Sequence, residues 1–281
     1  MDRSIPVTRH EIESFQRDGA ICLRQKFDQE WLDLIADGIE RNLAAPSEHA
    51  ESLSTEESAA RFFSDYCNWR DIPEFREFVY HSPAAEIVAR LMGSDKAIFY
   101  HDHLLIKEPG TQRRTPWHHD QPYYPVNGRH MCSLWLPLDP VPLETSLQFV
   151  KGSHAWGRWF VPRKFATSRD YALKEATSNR DAEGISFESV PDIEGHPEEY
   201  EIISWELNPG DCVVFHGMTL HGAAGNQSQT TARRALSTRW FGDDARFAER
   251  PWEISPPITG GLKPGEPMAC DTFPVIWEKA D

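Results

Sequence analysis

Apolar residues in the first third of the chain recur at helical spacing. Ile12 and Phe15 share a face after Thr8-Arg9-His10-Glu11, a capping box in which the Thr hydroxyl and the Glu carboxylate each satisfy an N–H left over at a helix start; Gly19 is the stop. Ala20-Ile21-Cys22-Leu23 reads as a short strand. Asp28 is placed to cap a second helix with Trp31, Leu32, Ile35 and Ile39 on one side. Ser82-Pro83 supplies a cap and a first-turn proline for a third, whose stripe is Ala84, Ile87, Val88, Leu91 and Met92 before Gly93. Residues 8–95 are therefore expected to be mostly helical. After Lys96 the period changes. Ala97–Tyr100, His103–Ile106, Cys132–Leu136 and Leu147–Val150 are short strand-like runs separated by turns such as Glu108-Pro109-Gly110 and Val126-Asn127-Gly128. Residues 163–201 are polar and weakly periodic, which predicts a long excursion between strands and a candidate lid. Strands resume at Ile202–Trp205, Cys212–Phe215 and Leu236–Trp240. Residues 251–281 are rich in Pro and Gly and are expected to wrap the surface. Helices followed by many short strands predict one mainly β domain, a sandwich or barrel over 96–250 on a helical buttress, and no alternating βαβ units.

Composition narrows the function. A chain of 281 residues with 10 Trp and 15 Phe has the bulk for one large core. A formal net charge of −15 argues against nucleic acid and against an anionic membrane surface, so a small-molecule substrate is the expected partner. The 5 cysteines are scattered with no C-x-x-C, which reads as free thiols in a reducing compartment. No apolar signal core opens the chain and no run reaches the length of a membrane span, so a cytoplasmic location is expected.

The chemistry concentrates at two places. His118 and Asp120 stand in Trp117-His118-His119-Asp120, and on a strand positions i and i+2 share a face, leaving His119 pointing away. A second imidazole would come from the stretch after the Gly210-Asp211 turn, where His216 and His221 are rivals. Two imidazoles and one carboxylate cap one face of an octahedron and leave the other open, as non-haem Fe(II) oxygenases require. The ligands are expected to lie on well-separated strands. Arg233 and Arg234 follow, and either guanidinium suits a carboxylate. A competing set, His101-Asp102-His103 with Glu108, has the look of part of a cupin metal motif.

Taken together, Lys107-Glu108-Pro109-Gly110, Thr115 through Tyr123, Ser133-Leu134-Trp135-Leu136-Pro137-Leu138-Asp139, Val150-Lys151-Gly152-Ser153-His154, and Gly210-Asp211 through His221-Gly222-Ala223 to Asn226 and Arg233-Arg234-Ala235-Leu236-Ser237 resemble the phytanoyl-CoA dioxygenase family of Fe(II)/2-oxoglutarate oxygenases. The resemblance runs from about Thr8 to Arg250. It implies a double-stranded β-helix (jelly-roll) core with N-terminal helices packed on one side. It implies His118, Asp120 and His221 as iron ligands, Arg233 for the distal carboxylate of 2-oxoglutarate, and Trp135 as an aromatic beside that co-substrate. With Fe(II), 2-oxoglutarate and O2 the implied reaction is hydroxylation of a small molecule, yielding succinate and CO2; a carboxylate at Asp120 favours hydroxylation over halogenation. The chain departs from the family pattern in carrying His119 where Gln is common and in a His221–Arg233 spacing one residue long, which leaves Arg234 as the fallback. Lys107, Gln121, Tyr123, Tyr124 and Arg239 are candidate substrate contacts. Two other readings remain: a cupin-like metalloenzyme using His101, His103 and Glu108 without 2-oxoglutarate, and a non-catalytic binding module on the same fold.

Overall fold

The computed structural model describes residues 6–54, 59–174 and 184–280. Four helices are present among them: α1 (Arg9–Asp18), α2 (Gln29–Ala44), α3 (Pro73–His81) and α4 (Ala84–Met92). The capping box of α1 forms, with Glu11 N–H donating to Thr8 Oγ1 at 3.2 Å and Thr8 N–H donating to the Glu11 carboxylate at 2.5 Å. Asp28 caps α2 through the Trp31 N–H. Helix α3 is an addition to the predicted set. Its Phe75, Phe78 and Val79 stripe is short and its N-cap, Ile72, offers no side-chain acceptor, so only Pro73 at its start marked it. In α4 Pro83 occupies the cap position itself rather than the first turn.

The strands, numbered in chain order, form two facing sheets and two short pairs. The larger sheet runs β1 (Ala20–Leu23), β12 (Cys212–His216), β7 (Met131–Pro137), β14 (Arg233–Phe241), β4 (Lys96–Lys107), β3 (Phe62–Tyr66) and β2 (Glu51–Leu53), with β16 (Val275–Glu278) also paired to β4. The smaller sheet runs β11 (Ile202–Ile203), β8 (Leu147–Val150), β13 (His221–Ala223) and β5 (Thr115–His118). The short pairs are β9 (Trp159–Phe160) with β10 (Phe187–Glu188), and β6 (Val126–Asn127) with β15 (Arg246–Phe247). This is the jelly-roll core that the resemblance implied, with the helices stacked on the outer face of the larger sheet.

Side-chain alternation explains why the central strands read as continuous apolar runs. On β7, Cys132, Leu134 and Leu136 pack against the helices, while Ser133 and Trp135 face the smaller sheet. On β14, Leu236 and Trp240 face the helices and Ala235 faces inward. Both faces are covered, so hydrophobic and polar positions do not alternate. One strand covers what the sequence presented as two runs, 97–100 and 103–106. Within β4 the register passes from Arg239 opposite His101 to Trp240 opposite Phe99, which leaves Tyr100 as an extra residue. This β-bulge changes the parity of the strand. Ala97 and Phe99 face the helices below it, whereas His101, His103 and Leu105 face the interior above it.

Two expectations need correction. Strands β2 and β3 interrupt the stretch expected to be mostly helical. Their run of Glu51, Ser52, Phe62, Phe63, Ser64 and Asp65 lacks clean alternation because Asp65 is buried and anchored by Asn42 and Ser47. The Pro/Gly-rich tail does not merely wrap the surface. Trp252, Met268 and Phe273 are fully buried, the last two in the cluster around Tyr100 and Phe241, and β16 extends the larger sheet. Large apolar anchors spaced between turn residues let an irregular segment plug one end of the barrel. Of the 163–201 excursion, residues 175–183 lie outside the described residues; the remainder carries β10 and an Arg163–Asp170 bridge.

Candidate metal centre

Strand β5 ends at His118, and Asp120 sits in a right-handed helical conformation at the head of a 3-10 turn over Gln121–Tyr123. The shared face predicted from an i, i+2 strand therefore arises differently: the chain turns at Asp120 and swings the carboxylate back beneath the imidazole. His221 opens β13, directly opposite His118 in the antiparallel register of the smaller sheet. The two histidines are on neighbouring strands rather than well-separated ones, with ring centroids 4.2 Å apart. His118 Nε2 lies 3.4 Å and His221 Nε2 3.7 Å from Asp120 Oδ1. All three residues are buried, and their ligand atoms lie within 4.8 Å of one another.

Hydrogen bonds on the far side of each group decide what it offers. His118 Nδ1 lies 2.8 Å from the Pro116 carbonyl, and His221 Nδ1 lies 3.0 Å from the Thr219 carbonyl. A carbonyl only accepts, so each Nδ1 carries the proton and each Nε2 turns a lone pair toward Asp120 Oδ1. Asp120 Oδ2 accepts from Ser133 Oγ at 2.6 Å and faces Arg239 Nε at 3.6 Å. Burial by itself would raise the Asp120 carboxyl; the fixed positive charge of Arg239 opposes it, and the group is held well below the usual carboxylate range. Burial, with His118 beside it, pushes His221 down to about 3. Three electron-pair donors thus converge with no proton between them, which is the donor set of a divalent-cation site.

An inner cavity adjoins this cluster, lined by His118, His221, Trp135, Leu147, Ser237 and Arg233 among others. Residues 233, 235, 237 and 239 of β14 share its inward face. Arg233 accordingly lies in the cavity, buried, donating through Nη1 to the Thr145 carbonyl, with its guanidinium carbon 5.9 Å from the Trp135 ring centre. Among the described residues no carboxylate pairs with it, and burial pushes it down to about 10. Arg234 points the other way and makes two side-chain bonds to Asp139 at 2.8 and 3.0 Å. Lys107 is opposite Arg233 in register, buried, and donates to the Ala224 carbonyl at 2.8 Å. Lys107, a candidate substrate contact from the sequence, thus lies at the Arg233 end of β4 and does not line the outer chamber.

The competing metal set does not assemble. Glu108 is paired with Arg61, and Asp102 accepts the Asn68 and Trp69 N–H groups, pinning that loop. His101 and His103 face the outer chamber, and among the described residues no carboxylate joins them in a metal-binding set. His216 accepts the Met218 N–H through Nδ1 and bonds to the Arg129 carbonyl through Nε2, so both ring nitrogens are spent elsewhere. His119 turns away, accepting from Phe160 N–H at 2.9 Å. Gln121 braces the Gly128 carbonyl and Tyr123 ties to both backbone groups of Arg163. Sequence reasoning missed Ser133, which orients Asp120, and Phe165, whose ring stands 5.0 Å from that of His118. An inward polar residue in the apolar run of β7 was the available signal for Ser133; Phe165 had none.

A family model described as Phytanoyl-CoA dioxygenase (PhyH) matches residues 15–235. The chain belongs to this family. A "Probable phytanoyl-CoA dioxygenase" of Caenorhabditis elegans is 24% identical over 184 residues, which are 63% of this chain; the match spans 54%, about half, of that relative's length. Among solved structures, the α-ketoglutarate-dependent carbocyclase SnoK from nogalamycin biosynthesis is 22% identical with a TM-score of 0.69, covering 96% of both chains. The epimerase SnoN, in complex with Fe3+, α-ketoglutarate and nogalamycin RO, is 19% identical with a TM-score of 0.71 over 95% of this chain and 97% of its own. EctD from S. alaskensis, with 2-oxoglutarate and 5-hydroxyectoine, is 20% identical with a TM-score of 0.67 over 95% and 87%. At such identities these likenesses show the shared jelly-roll fold.

Proposed function

We propose that the protein is an Fe(II)- and 2-oxoglutarate-dependent oxygenase that hydroxylates a small-molecule substrate and releases succinate and CO2. The observation that carries this reading is the convergence of His118 Nε2, Asp120 Oδ1 and His221 Nε2 beside a cavity whose other end is an uncompensated buried arginine. Family membership and neighbours solved with iron or 2-oxoglutarate support it.

Bound iron with 2-oxoglutarate and O2 supplies an oxidant strong enough to take hydrogen from an unactivated carbon. The chain supplies the rest. His118, Asp120 and His221 would hold the metal, their tautomers and orientation set by Pro116, Ser133 and Thr219. Arg233 would receive the distal carboxylate of 2-oxoglutarate, since its planar fork donates two parallel bonds and a buried cation gains most from an anion. Lys107, whose charged form burial and the neighbouring Arg233 disfavour, adds a second hydrogen-bond donor there. Trp135 forms the wall, and Phe165 closes over His118, excluding water from the reacting side.

Anaerobic addition of Fe(II) and then 2-oxoglutarate to the apo-protein should raise the weak visible charge-transfer band of the chelate, and His221→Ala should lose it. Tight Fe(II) binding with no band would mean that 2-oxoglutarate does not chelate here.

A further inference from the structure

On the inward face of the β4–β14 pair, two cross-strand couples lie side by side: Arg239 opposite His101, and Ser237 opposite His103. Such opposed side chains are within reach of one another. Each of the four carries a buried polar atom with no hydrogen-bond partner among the described residues: Arg239 Nη1, His101 Nε2, Ser237 Oγ and His103 Nε2. A fold rarely leaves one such atom unpaired; four at adjacent positions point to a ligand. Ser237 faces the inner cavity, His103 and Arg239 line both that cavity and a wide outer chamber that opens above the metal cluster, and His101 lines the outer chamber.

The chemistry of two of these atoms is defined. His101 Nδ1 lies 2.9 Å from the Asp102 carbonyl, so it carries the proton and Nε2 offers a lone pair to the chamber. Arg239 only donates. Its Nε reaches the Tyr124 hydroxyl at 3.1 Å and faces Asp120, while Nη1 is left over. A fixed cationic donor next to a fixed neutral acceptor matches an anionic oxygen beside a hydroxyl. Tyr66, Tyr123, Phe165, Tyr171 and Phe247 form apolar walls around the same space. Arg239 is six residues from Arg233 on one strand, about 20 Å along its length at the usual rise, so the two guanidiniums stand at different ends of the inner cavity that both line.

We propose that Arg239 and His101, with His103 beside them, form the substrate subsite, and that it takes a carboxylate carrying an adjacent hydroxyl on a flat apolar body. The role in catalysis rests on the oxygenase reading; the binding does not. Mandelate is a suitable probe, with methyl mandelate lacking the charge and phenylacetate lacking the hydroxyl. In calorimetric titration of the anaerobic protein loaded with Fe(II) and saturating 2-oxoglutarate, mandelate is expected to bind about tenfold or more tightly than the ester and several-fold more tightly than phenylacetate, as a charge-assisted bond and a neutral one would give. Arg239→Gln should abolish the preference for acid over ester, and His101→Leu the preference for the hydroxyl. Equal affinity of wild type for acid and ester, or no saturable binding of mandelate, overturns the proposal without recourse to any variant. An Arg239→Gln protein that loses iron but keeps the acid preference reduces Arg239 to a brace for Asp120 and overturns it as well. Absence of the 2-oxoglutarate band in a wild type that still prefers mandelate would refute the oxygenase reading and leave the subsite standing.

Discussion

Arg233 and Arg234 are adjacent in sequence and opposite in role, because alternation on a strand sends neighbours to opposite faces. Arg233 enters the inner cavity; Arg234 closes on Asp139 at the surface of the sheet. Spacing alone could not separate them, since one residue of uncertainty in the approach to β14 exchanges the two faces. Arg233→Ala should weaken 2-oxoglutarate binding by about 10- to 100-fold, the worth of hydrogen bonds to a charged group. Arg234→Ala should leave it within about twofold and lower stability by no more than about 1 kcal/mol, because its partner pair is half-exposed. Titration of the chelate band measures both, and equal loss in the two variants would remove Arg233 from its assigned place. His101 and His103 show a related limit. Their residue types fit a ligand set, but only the position of their nitrogens shows that nothing completes it.

At the scale of elements, the turn that carries His221 is set by a glycine from the other end of the chain. Gly19 ends α1 at φ +80°, and its carbonyl accepts from His216 N–H and from Thr219 Oγ1. A Cβ there would stand 2.3 Å from His154 Nδ1 and 2.6 Å from Thr219 Oγ1. Gly19→Ala combines left-handed strain with that collision and is expected to destabilise by about 2–4 kcal/mol. It should also weaken Fe(II) binding, because Thr219 O orients His221. An unchanged melting temperature would show that the turn adapts. The opposite end of β12 is held by Asp211, which accepts from Arg24, from Asn208 N–H and from both Gln25 donors. Burial opposes its charge, but these bonds outweigh burial and lower its pKa below 3.8. The sign follows: the stabilisation is full above the unfolded pKa and disappears as pH falls through the lower folded value. Asp211→Asn should therefore cost about 2 kcal/mol near neutrality, and urea denaturation should show the gap to wild type closing below about pH 4. A gap that persists in acid would assign the loss to packing instead of charge.

For the whole molecule, the chamber above the metal cluster is closed partly by segments outside the two sheets. Phe165 and Tyr171 from the excursion pack on His118 and Tyr123, while Phe247 and Ser255 come from the end of the core and the tail. Filling the site should therefore order the excursion. Timed trypsin digestion read by mass spectrometry should show slower cleavage at Lys164, Arg169 and Lys174 when Fe(II) and 2-oxoglutarate are present; identical rates would detach the excursion from the site. Much of the rest was legible beforehand. Apolar periodicity and capping residues predicted α1, α2, α4 and most of the core strands, because those signals are local and each is enforced by backbone hydrogen bonding over a few residues. Residue identity brought forward His118, Asp120, the rivals His216 and His221, and the pair Arg233 and Arg234, because few side chains can donate electron pairs to a hard cation or grip a carboxylate; the family resemblance favoured His221 and Arg233. Which histidine lies opposite His118, which arginine turns inward, which serine holds Asp120, and that Arg239 and His101 meet with atoms to spare were decided only by strand register and by the bulge at Tyr100. Apart from Ser133 and Asp120, which are 13 positions apart, those depend on contacts between residues a hundred or more positions apart, and no local pattern in a chain encodes the pairing of its distant segments.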